Sequence, residues 1–514
     1  MERISFLDIN SYMSDLSIEK INDVDIKVRC DRGIAKELSD FFTFHVPGYK
    51  FMPQYRNKMW DGTIKLYNLY SQTIYCGLLK YIYKFAEDRD YSIQLIQPEN
   101  FENENYISHN SIRSYIDDRL QPLAAGKLIK AHDHQVNAVH HAINNDRCLL
   151  LSPTASGKSL IIYTLVRYYI NKLPKGKKIL IVVPTTSLVS QMYSDFAEYA
   201  HLDESFDYEK YLHVVFSGRE KSCKSCKVVI STWQSIYKLP KEYFEQYHVV
   251  FGDECHLFKS KSLSTLMTKL EECPYRIGTT GTLDGTQTHK LVIEGLFGPV
   301  YDVVSTKELM DKNLLAQLKI DSILLKYSDE DKKEIKRANY HDEIKWLIRN
   351  KKRNKFIQEM SINLKGNTLI LFQFVEEHGK VLYNMIKDSV NDTRKVFFIH
   401  GGTDVDDRER IRHIVEENDD AIIVASYGTF STGVSIRKLH NIIFASPSKS
   451  RIRVLQSIGR QLRKSDKKEV AKLYDLGDDL SWKSYKNHTL RHFAERIKIY
   501  KAEKFNYNPV IVRL

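Results

Sequence analysis

Short apolar runs, each bounded by polar or turn-forming residues, recur along most of the chain. In the stretch from about residue 120 to 300 they fall at 148–151, 179–183, 228–230, 249–251 and 275–277, separated by segments whose apolar positions repeat at helical spacing. Continuous apolar runs are what strands buried on both faces require, and their alternation with helices predicts a parallel sheet. A second series follows at 368–372, 396–399, 421–425, 442–445 and 473–475. The pattern predicts two successive α/β domains of similar plan. Before them, a region up to about residue 110 mixes short apolar runs with aromatics and ends in the polar stretch 98–110. Between the two series, 328–356 is densely charged, with Ile335, Ile344, Leu347 and Ile348 near helical spacing, which predicts a solvated amphipathic helix or pair of helices.

A chain of 514 residues is too long for one core and suits several domains. The boundaries suggested by the pattern are 1–110, 111–308, 309–480 and a basic, helical C-terminal tail at 481–514 packed on the domain before it. No run of about eighteen apolar residues occurs and the N-terminus lacks an apolar signal core, so the expectation is a cytoplasmic protein (the host cytoplasm if a phage encodes it) with no membrane partner. Seven cysteines do not suggest a disulfide framework, and Cys223 with Cys226 supplies only two of the four ligands a zinc site needs. The net charge of +12 makes a polyanion a plausible partner, and the excess is concentrated: from Ser448 onward there are 17 Lys and Arg against 7 Asp and Glu.

The candidate chemistry starts at Ser152-Pro153-Thr154-Ala155-Ser156-Gly157-Lys158-Ser159, which follows an apolar run and precedes a helical pattern. A tight loop of small residues lets backbone N–H groups converge on phosphate oxygens at the positive end of the next helix. Lys158 can reach the β and γ phosphates of ATP, and Ser159 can ligate Mg²⁺. The first position is Ser152 where the strict pattern has glycine. Further on, the run 249–251 leads into Gly252-Asp253-Glu254-Cys255-His256. Acids at the carboxyl end of a parallel strand lie on the sheet edge where nucleotides bind. Asp253 suits Mg²⁺, and Glu254 suits orienting or deprotonating the attacking water.

With both motifs in place the chain resembles the superfamily 2 helicases, the group that includes the DEAD- and DEAH-box proteins, and within it the recombination helicases of phages. The Asp-Glu-Cys-His tetrad is similar to motif II, a DECH box, and adds His256 to the catalytic set. Gln135 resembles the adenine-reading glutamine, although His132 stands where an arginine is usual. Thr185 and Thr186 in Pro184–Leu188 resemble motif Ia, and Thr232 and Trp233, in Ser231–Gln234, resemble a second strand-contacting motif. Thr280-Gly281-Thr282 takes the motif III position. In the second series, 369–374 resembles motif IV, while Thr429 and Thr432-Gly433-Val434-Ser435 resemble motif V, with Gly433 toward the nucleotide and Thr429 toward nucleic acid. The run Gln456-Ser-Ile-Gly459-Arg460-Gln-Leu-Arg463 matches motif VI. A guanidinium stabilises charge shifting on the γ-phosphate, so Arg460 and Arg463 are the implied arginine fingers. The resemblance implies an α/β fold of two tandem RecA-like domains after a small α+β N-terminal domain. It also implies ATP hydrolysis coupled to remodelling of branched DNA: forks, four-way junctions, D-loops and R-loops with their RNA–DNA hybrids.

Between His45 and Lys84 stand six Lys or Arg against one acid, interleaved with nine aromatics. Cations neutralise phosphates and exposed rings stack on bases, so Lys50, Arg56, Lys58, Trp60 and Lys65 are candidate nucleic-acid contacts, with Asp61-Gly62 at a turn. The same aromatics could instead fill a small β-rich core. Lys483, Lys486, Arg491 and Lys498 could track a backbone or solvate a helix. The rival readings are an RNA helicase, the motor subunit of a restriction system, and a noncatalytic scaffold on a relic nucleotide fold; protein partners, polarity and oligomeric state are not legible.

Overall fold

The computed structural model describes residues 14–514 apart from 104–105, 259, 284–285, 391–393, 434–435, 437, 449 and 463–469. The chain divides into two compact units, one reaching to Leu151 and resuming over Lys158–Val303, the other comprising Val304–Leu514 with Ser152–Gly157.

The N-terminal strands are β1 (Leu16–Lys20), β2 (Asp25–Arg29), β3 (Thr43–His45), β4 (Thr63–Lys65), β5 (Thr73–Tyr75) and β6 (Ile93–Ile96). They form a mixed four-stranded sheet in the order β5-β2-β1-β6 and a separate antiparallel β3–β4 pair. Alternation in the first two strands turns Leu16, Ile18, Ile26 and Val28 to one face. Helices Arg32–Phe41 and Leu79–Glu87 cover that face with Ile34, Leu38, Ile82 and Phe85, closing a small core. The Asp31 carboxylate starts the first helix by accepting the Ile34 N–H at 2.9 Å.

This region is joined tightly to the first of the parallel sheets. Leu291, from helix Gln287–Phe297, belongs to the N-terminal core. A Cβ on Gly77 would lie 2.0 Å from the Glu294 carbonyl oxygen, and one on Gly295 would lie 2.7 Å from the Tyr75 ring, so both positions require glycine for backbone approach. Tyr81 donates to Glu294 Oε2 at 2.7 Å, and Arg147 donates to the Asp23 carbonyl at 2.8 Å.

After the short antiparallel pair β7 (Leu123–Ala124) and β8 (Lys127–Leu128), seven strands form a parallel sheet: β9 (Arg147–Leu151), β10 (Lys178–Val183), β11 (Leu212–Val215), β12 (Val228–Thr232), β13 (Tyr247–Gly252), β14 (Tyr275–Thr280) and β15 (Val300–Asp302). Their order is β11-β12-β10-β13-β14-β9-β15. The second unit holds β16 (Gln317–Lys326), β17 (Thr368–Phe372), β18 (Val396–Ile399), β19 (Ile422–Ser426), β20 (Asn441–Phe444), β21 (Val470–Asp479) and β22 (Tyr507–Arg513), ordered β18-β19-β17-β20-β21-β16-β22 and again parallel. Counted from the first strand of each sheet, both orders read 3-4-2-5-6-1-7. The similar plan expected from hydrophobic patterning is thus an identity of topology, and the expected pair of RecA-like sheets is present.

All ten apolar runs fall on strands. The four strands that pattern alone did not suggest are β11, β15, β16 and β22. Three of them, β11, β15 and β22, are edge strands, whose outer side needs no continuous apolar run. Pro509 stands inside β22, which an edge strand tolerates because it pairs on one side only. Consequently the basic tail expected to be helical supplies both helix His488–Ala502 and the last strand of the second sheet.

The charged segment 328–356 also differs from expectation. Helices Asp329–Glu334, Tyr340–Arg349 and Lys351–Asn363 do bury Ile344, Leu347 and Ile348, but Arg353 is fully buried as well. It pairs with Asp478 at 2.8 Å and donates to the Ala445 carbonyl, while Tyr327 donates to the same carboxylate at 2.6 Å. Arg496, one of the C-terminal cations, is buried against Asp475 in the same manner at 2.8 Å. Paired buried charges of this kind hold helices to β21, so not every basic residue in these segments is solvated.

Candidate nucleotide site and nucleic-acid surfaces

The registers of the first sheet bring the candidate residues to one edge. Thr280 pairs with Leu151, Gly252 with Gly278 and Val182, and Val183 with Thr232. The phosphate-loop residues after β9, Thr185 and Thr186 after β10, Trp233 after β12, Asp253 after β13 and Gly281 after β14 all therefore leave the carboxyl edge of the sheet.

In the loop, Ala155 (φ 68°) and Gly157 (φ 85°) take left-handed backbone. Ser156 donates to the Pro153 carbonyl at 2.7 Å and shares a 2.5 Å hydrogen bond with Ser152. Ser152, fully buried where glycine is usual, thus acts as an internal tie of the loop. Helix Lys158–Ile170 begins directly after it, so Lys158 and Ser159 occupy its first turn. Gln135 is buried in helix Asp133–Asn145 and its side-chain oxygen accepts the His132 N–H at 2.9 Å, closing a capping box.

Asp253 is buried, and its Oδ1 accepts from Thr279 Oγ1 at 2.8 Å and from the Glu254 N–H at 2.9 Å. Burial foremost, and then the neighbouring Glu254 charge, raise its carboxyl above the ordinary range; Lys158 and the Thr279 hydroxyl act in the opposite direction. A buried carboxylate beside a second one and an ammonium is a place where a hard cation relieves repulsion, and the hydroxyl of Ser159 is a matching oxygen donor. Glu254 has left-handed backbone (φ 52°, ψ 48°), unusual for a residue with a side chain and a form of strain concentrated at functional sites.

His256 Nδ1 lies 3.3 Å from Glu254 Oε2 and 3.1 Å from Thr280 Oγ1. Thr280 in turn donates to the Thr282 carbonyl at 3.1 Å. His256 therefore links the acid pair to the Thr280–Thr282 segment. Thr279 was not among the expected site residues; its signal is a hydroxyl at the end of a core strand next to the acid-bearing one.

Thr185 caps helix Thr186–Tyr199 by accepting the Leu188 N–H at 3.3 Å. Thr232 is buried and bonded to Ser235 at 2.9 Å, while Trp233 is half-buried against Tyr237. In the second unit, 369–374 covers the end of β17, and Phe372 pairs with Ser426 at the end of β19. Thr429 shares a 2.8 Å hydrogen bond with Ser426. Gly433 closes helix Tyr427–Gly433, and Val434 and Ser435 lie outside the described residues. Arg460 is in helix Arg451–Gln461, its guanidinium 5.9 Å from the Phe430 ring centre, and Gln461 ties that helix to His440, just before β20, and to Lys472 of β21 through their carbonyls. Arg463 lies outside the described residues.

The basic-aromatic segment is a separate feature on the N-terminal region. Lys50, Arg56, Lys58, Trp60 and Lys65, with Tyr55 and Met59, line an open cavity of about 950 Å³. Lys50, Arg56, Lys58 and Lys65 are exposed, and so are Phe51 and Met59, at 76% and 78%. Trp60 is half-buried, its indole donating to the Thr63 carbonyl at 2.8 Å. Asp61-Gly62 forms the turn entering β4: Asp61 accepts from Thr63, chiefly its hydroxyl, which holds the carboxyl down to about 2. Gly62 has φ 80°, and a Cβ there would meet the Tyr49 ring at 2.2 Å. Tyr67, by contrast, is core. At the C-terminal end Lys483, Lys486, Arg491 and Lys498 are exposed.

Comparison with known proteins accords with this geometry. Residues 128–285 match the family described as the res subunit of type III restriction enzymes, 351–465 the helicase conserved C-terminal domain, and 9–96 the N-terminal domain of the DNA helicase UvsW. The ATP-dependent DNA helicase UvsW of enterobacteria phage T4 is 36% identical over 505 residues, covering 95% of this chain and 98% of that protein. The T4 UvsW crystal structure superposes with a TM-score of 0.51 at 35% identity, over 97% of this chain and 99% of that one. A DNA 3'-5' translocase, XPB2 of Sulfurisphaera tokodaii, is 25% identical over 69% of this chain and 83% of its own length. The chain belongs to the superfamily 2 helicases, in the family of the ATP-dependent DNA helicase UvsW.

Proposed function

We propose that this ATP-dependent DNA helicase acts on branched DNA, remodelling forks, four-way junctions, D-loops and R-loops, in the cytoplasm of a phage-infected host. The observation that carries the reading is the pairing of a helicase sheet edge with an N-terminal surface of exposed cations and apolar side chains. Fully paired duplex exposes few bases for stacking, whereas a fork or junction offers both phosphates and unpaired bases. Similarity to T4 UvsW over nearly the whole chain, including residues 9–96, supports assigning that surface to nucleic acid.

We assign residues 1–110 to a nucleic-acid-binding domain, 111–308 and 309–480 to the two RecA-like domains, and 481–514 to a C-terminal extension of the second. In the reaction, the loop Ser152–Ser159 holds the phosphates of ATP, with Lys158 on the β and γ oxygens and Gln135 reading adenine. Ser159 and Asp253 are the residues suited to Mg²⁺, which supplies charge neutralisation on the phosphates when bound. Glu254 orients the attacking water and takes its proton, while His256 fixes that carboxylate and relays its state to Thr280 and Thr282. Arg460 and Arg463 are assigned to the charge on the γ-phosphate, and Gly433 to the nucleotide. Thr185, Thr186, Thr232, Trp233 and Thr429 are assigned to the strand being moved. A ligand that binds two conformations unequally shifts their populations, so ATP binding and loss drive a cycle of grip on that strand.

The test is ATPase stimulation by single-stranded DNA, duplex, fork, four-way junction and RNA, together with junction binding at two salt concentrations. Lys58→Ala should lower junction affinity and flatten its salt dependence without changing the fold by circular dichroism. Equal stimulation by plain duplex and junction, or a preference for RNA, would overturn the assignment.

A further inference from the structure

The loop between β11 and β12 carries Cys223-Lys224-Ser225-Cys226, a pair of thiols with no part in the chemistry above. The two cysteines close on each other. The Cys226 N–H donates to Cys223 Sγ at 3.1 Å, and the Cys226 thiol donates to the Cys223 carbonyl at 3.5 Å. The Lys178 ammonium, from neighbouring β10, also donates to that carbonyl, and Tyr243 donates to the Lys221 carbonyl at 3.0 Å, so the turn is tied to the sheet. Exposure is divided between them: Cys223 is half-exposed and Cys226 is 4% exposed. Among the described residues no group of three or more His, Cys, Asp and Glu could hold a metal ion, so the pair lacks the further ligands of a zinc site.

We propose that Cys223 and Cys226 form a redox-active dithiol that reacts with low-molecular-weight disulfides, Cys223 attacking and Cys226 resolving. The Cys223 thiolate attacks one sulfur of the small disulfide; that S–S bond breaks, a small thiolate leaves, and a mixed disulfide forms on Cys223. Cys226 then loses its proton to solvent and its sulfur attacks Cys223 Sγ, expelling the second small thiolate and closing the Cys223–Cys226 bond. Two electrons pass from the protein dithiol to the small disulfide, which ends as two thiols.

The division of labour follows from the turn. Partial burial favours the neutral Cys223 thiol, but hydrogen bonds from Cys226 and Ser225 outweigh it and bring Cys223 below the ordinary thiol value. Burial, reinforced by the bond to Cys223, pushes Cys226 up to about 12. A thiolate stabilised by donors and open to solvent reacts first, while a buried thiol reacts only with the partner held against it.

The test uses the full-length protein and glutathione disulfide as probe. Samples are quenched at intervals by alkylation and mapped by peptide mass spectrometry. Cys30 is also half-exposed, and burial raises its thiol, so it serves as an internal control that needs no variant. The expected results are an intramolecular Cys223–Cys226 disulfide formed before any adduct on Cys30, and a glutathione adduct trapped on Cys223 in Cys226→Ser. Cys223→Ser should take no adduct on Cys226. Modification of Cys30 ahead of Cys223, an adduct on Cys226 in Cys223→Ser, or zinc-dependent protection of both thiols from alkylation in reducing buffer would overturn the proposal.

Discussion

Tyr81→Phe tests whether the N-terminal region and the first parallel sheet melt as one body. The phenol donates to Glu294 Oε2 at 2.7 Å, and Glu294 is only 2% exposed. Its other oxygen accepts the Val300 N–H at 3.0 Å and lies 4.0 Å from the Lys290 ammonium, so those partners remain after the substitution. What is lost is a hydrogen bond to a charged, buried acceptor, a loss of about 1.5–3 kcal/mol. At about 1.5–2 °C per kcal/mol for a cooperative body of this size, the melting midpoint should fall by roughly 2–6 °C. Differential scanning calorimetry of the full chain reads this, and because Leu291 and the glycine contacts bind the two layers together, the transition containing the N-terminal signal should move as a unit. Glu294→Gln should cost less in the Tyr81→Phe background than alone, since the two residues share the interaction. Gly77→Ala should be worse than either, because its new methyl would meet a backbone carbonyl that cannot rotate away. A midpoint unchanged within about 1 °C for Tyr81→Phe, or a separate early transition for the N-terminal region in the parent protein, would refute the reasoning. The same contacts explain why deletion of residues 1–110 is a poor probe of DNA binding: it would uncover Leu291 and leave Glu294 without its phenol.

Lys158→Ala should abolish ATP turnover while junction binding survives, measured by phosphate release and by fluorescence anisotropy; normal turnover would remove Lys158 from the phosphate site. Glu254→Gln should bind ATP and fail to hydrolyse it, and Arg460→Ala should bind ATP with turnover lowered roughly 10³–10⁵-fold; parental rates in either would end the assigned role. Asp253→Asn should abolish turnover yet raise the melting midpoint of the nucleotide-free protein at neutral pH. Burial gives the folded state the higher proton affinity at Asp253, so the contribution of this residue to stability declines as pH rises from the ordinary carboxylate value through the raised one, and a neutral amide escapes that decline. A lower midpoint for Asp253→Asn than for the parent would contradict the burial argument.

The candidate nucleotide site could be read from the chain because phosphate chemistry imposes its demands on contiguous residues. A loop of small residues ending in Lys158-Ser159, and an acid pair after an apolar strand, are each fixed by what a few neighbouring backbone groups must do. Most interior strands were legible for a related reason: burial on both faces forces an unbroken apolar run, as in β10 and β17, whereas the interior strand β16 alternates exposed and buried residues over its first half and shows no such run. Edge strands carry no such constraint, and β22, with Pro509 inside it and four of its seven residues exposed, reads like a tail. Thr279 escaped notice because a hydroxyl at a strand end becomes informative only once the neighbouring strand places Asp253 beside it.

The attachment of the N-terminal region was illegible for a different reason. Tyr81 and Glu294 are 213 residues apart, and neither belongs to a motif. Gly77 and Gly295 read as ordinary turn or helix glycines until each is seen to admit a backbone or ring from the other side. Yet this attachment bears most directly on function. Helix Gln287–Phe297 follows Thr280–Thr282, the segment bonded through His256 to Glu254, and Arg147 opens the strand that ends at the phosphate loop. The N-terminal core is thus packed directly on the helix and the strand that lead to the candidate nucleotide site. A DNA junction held by Lys50–Lys65 would therefore be held relative to the ATP chemistry. On the proposed function, that packing, more than the number of cations on the surface, is what would let junction binding couple to hydrolysis instead of merely tethering the motor to DNA.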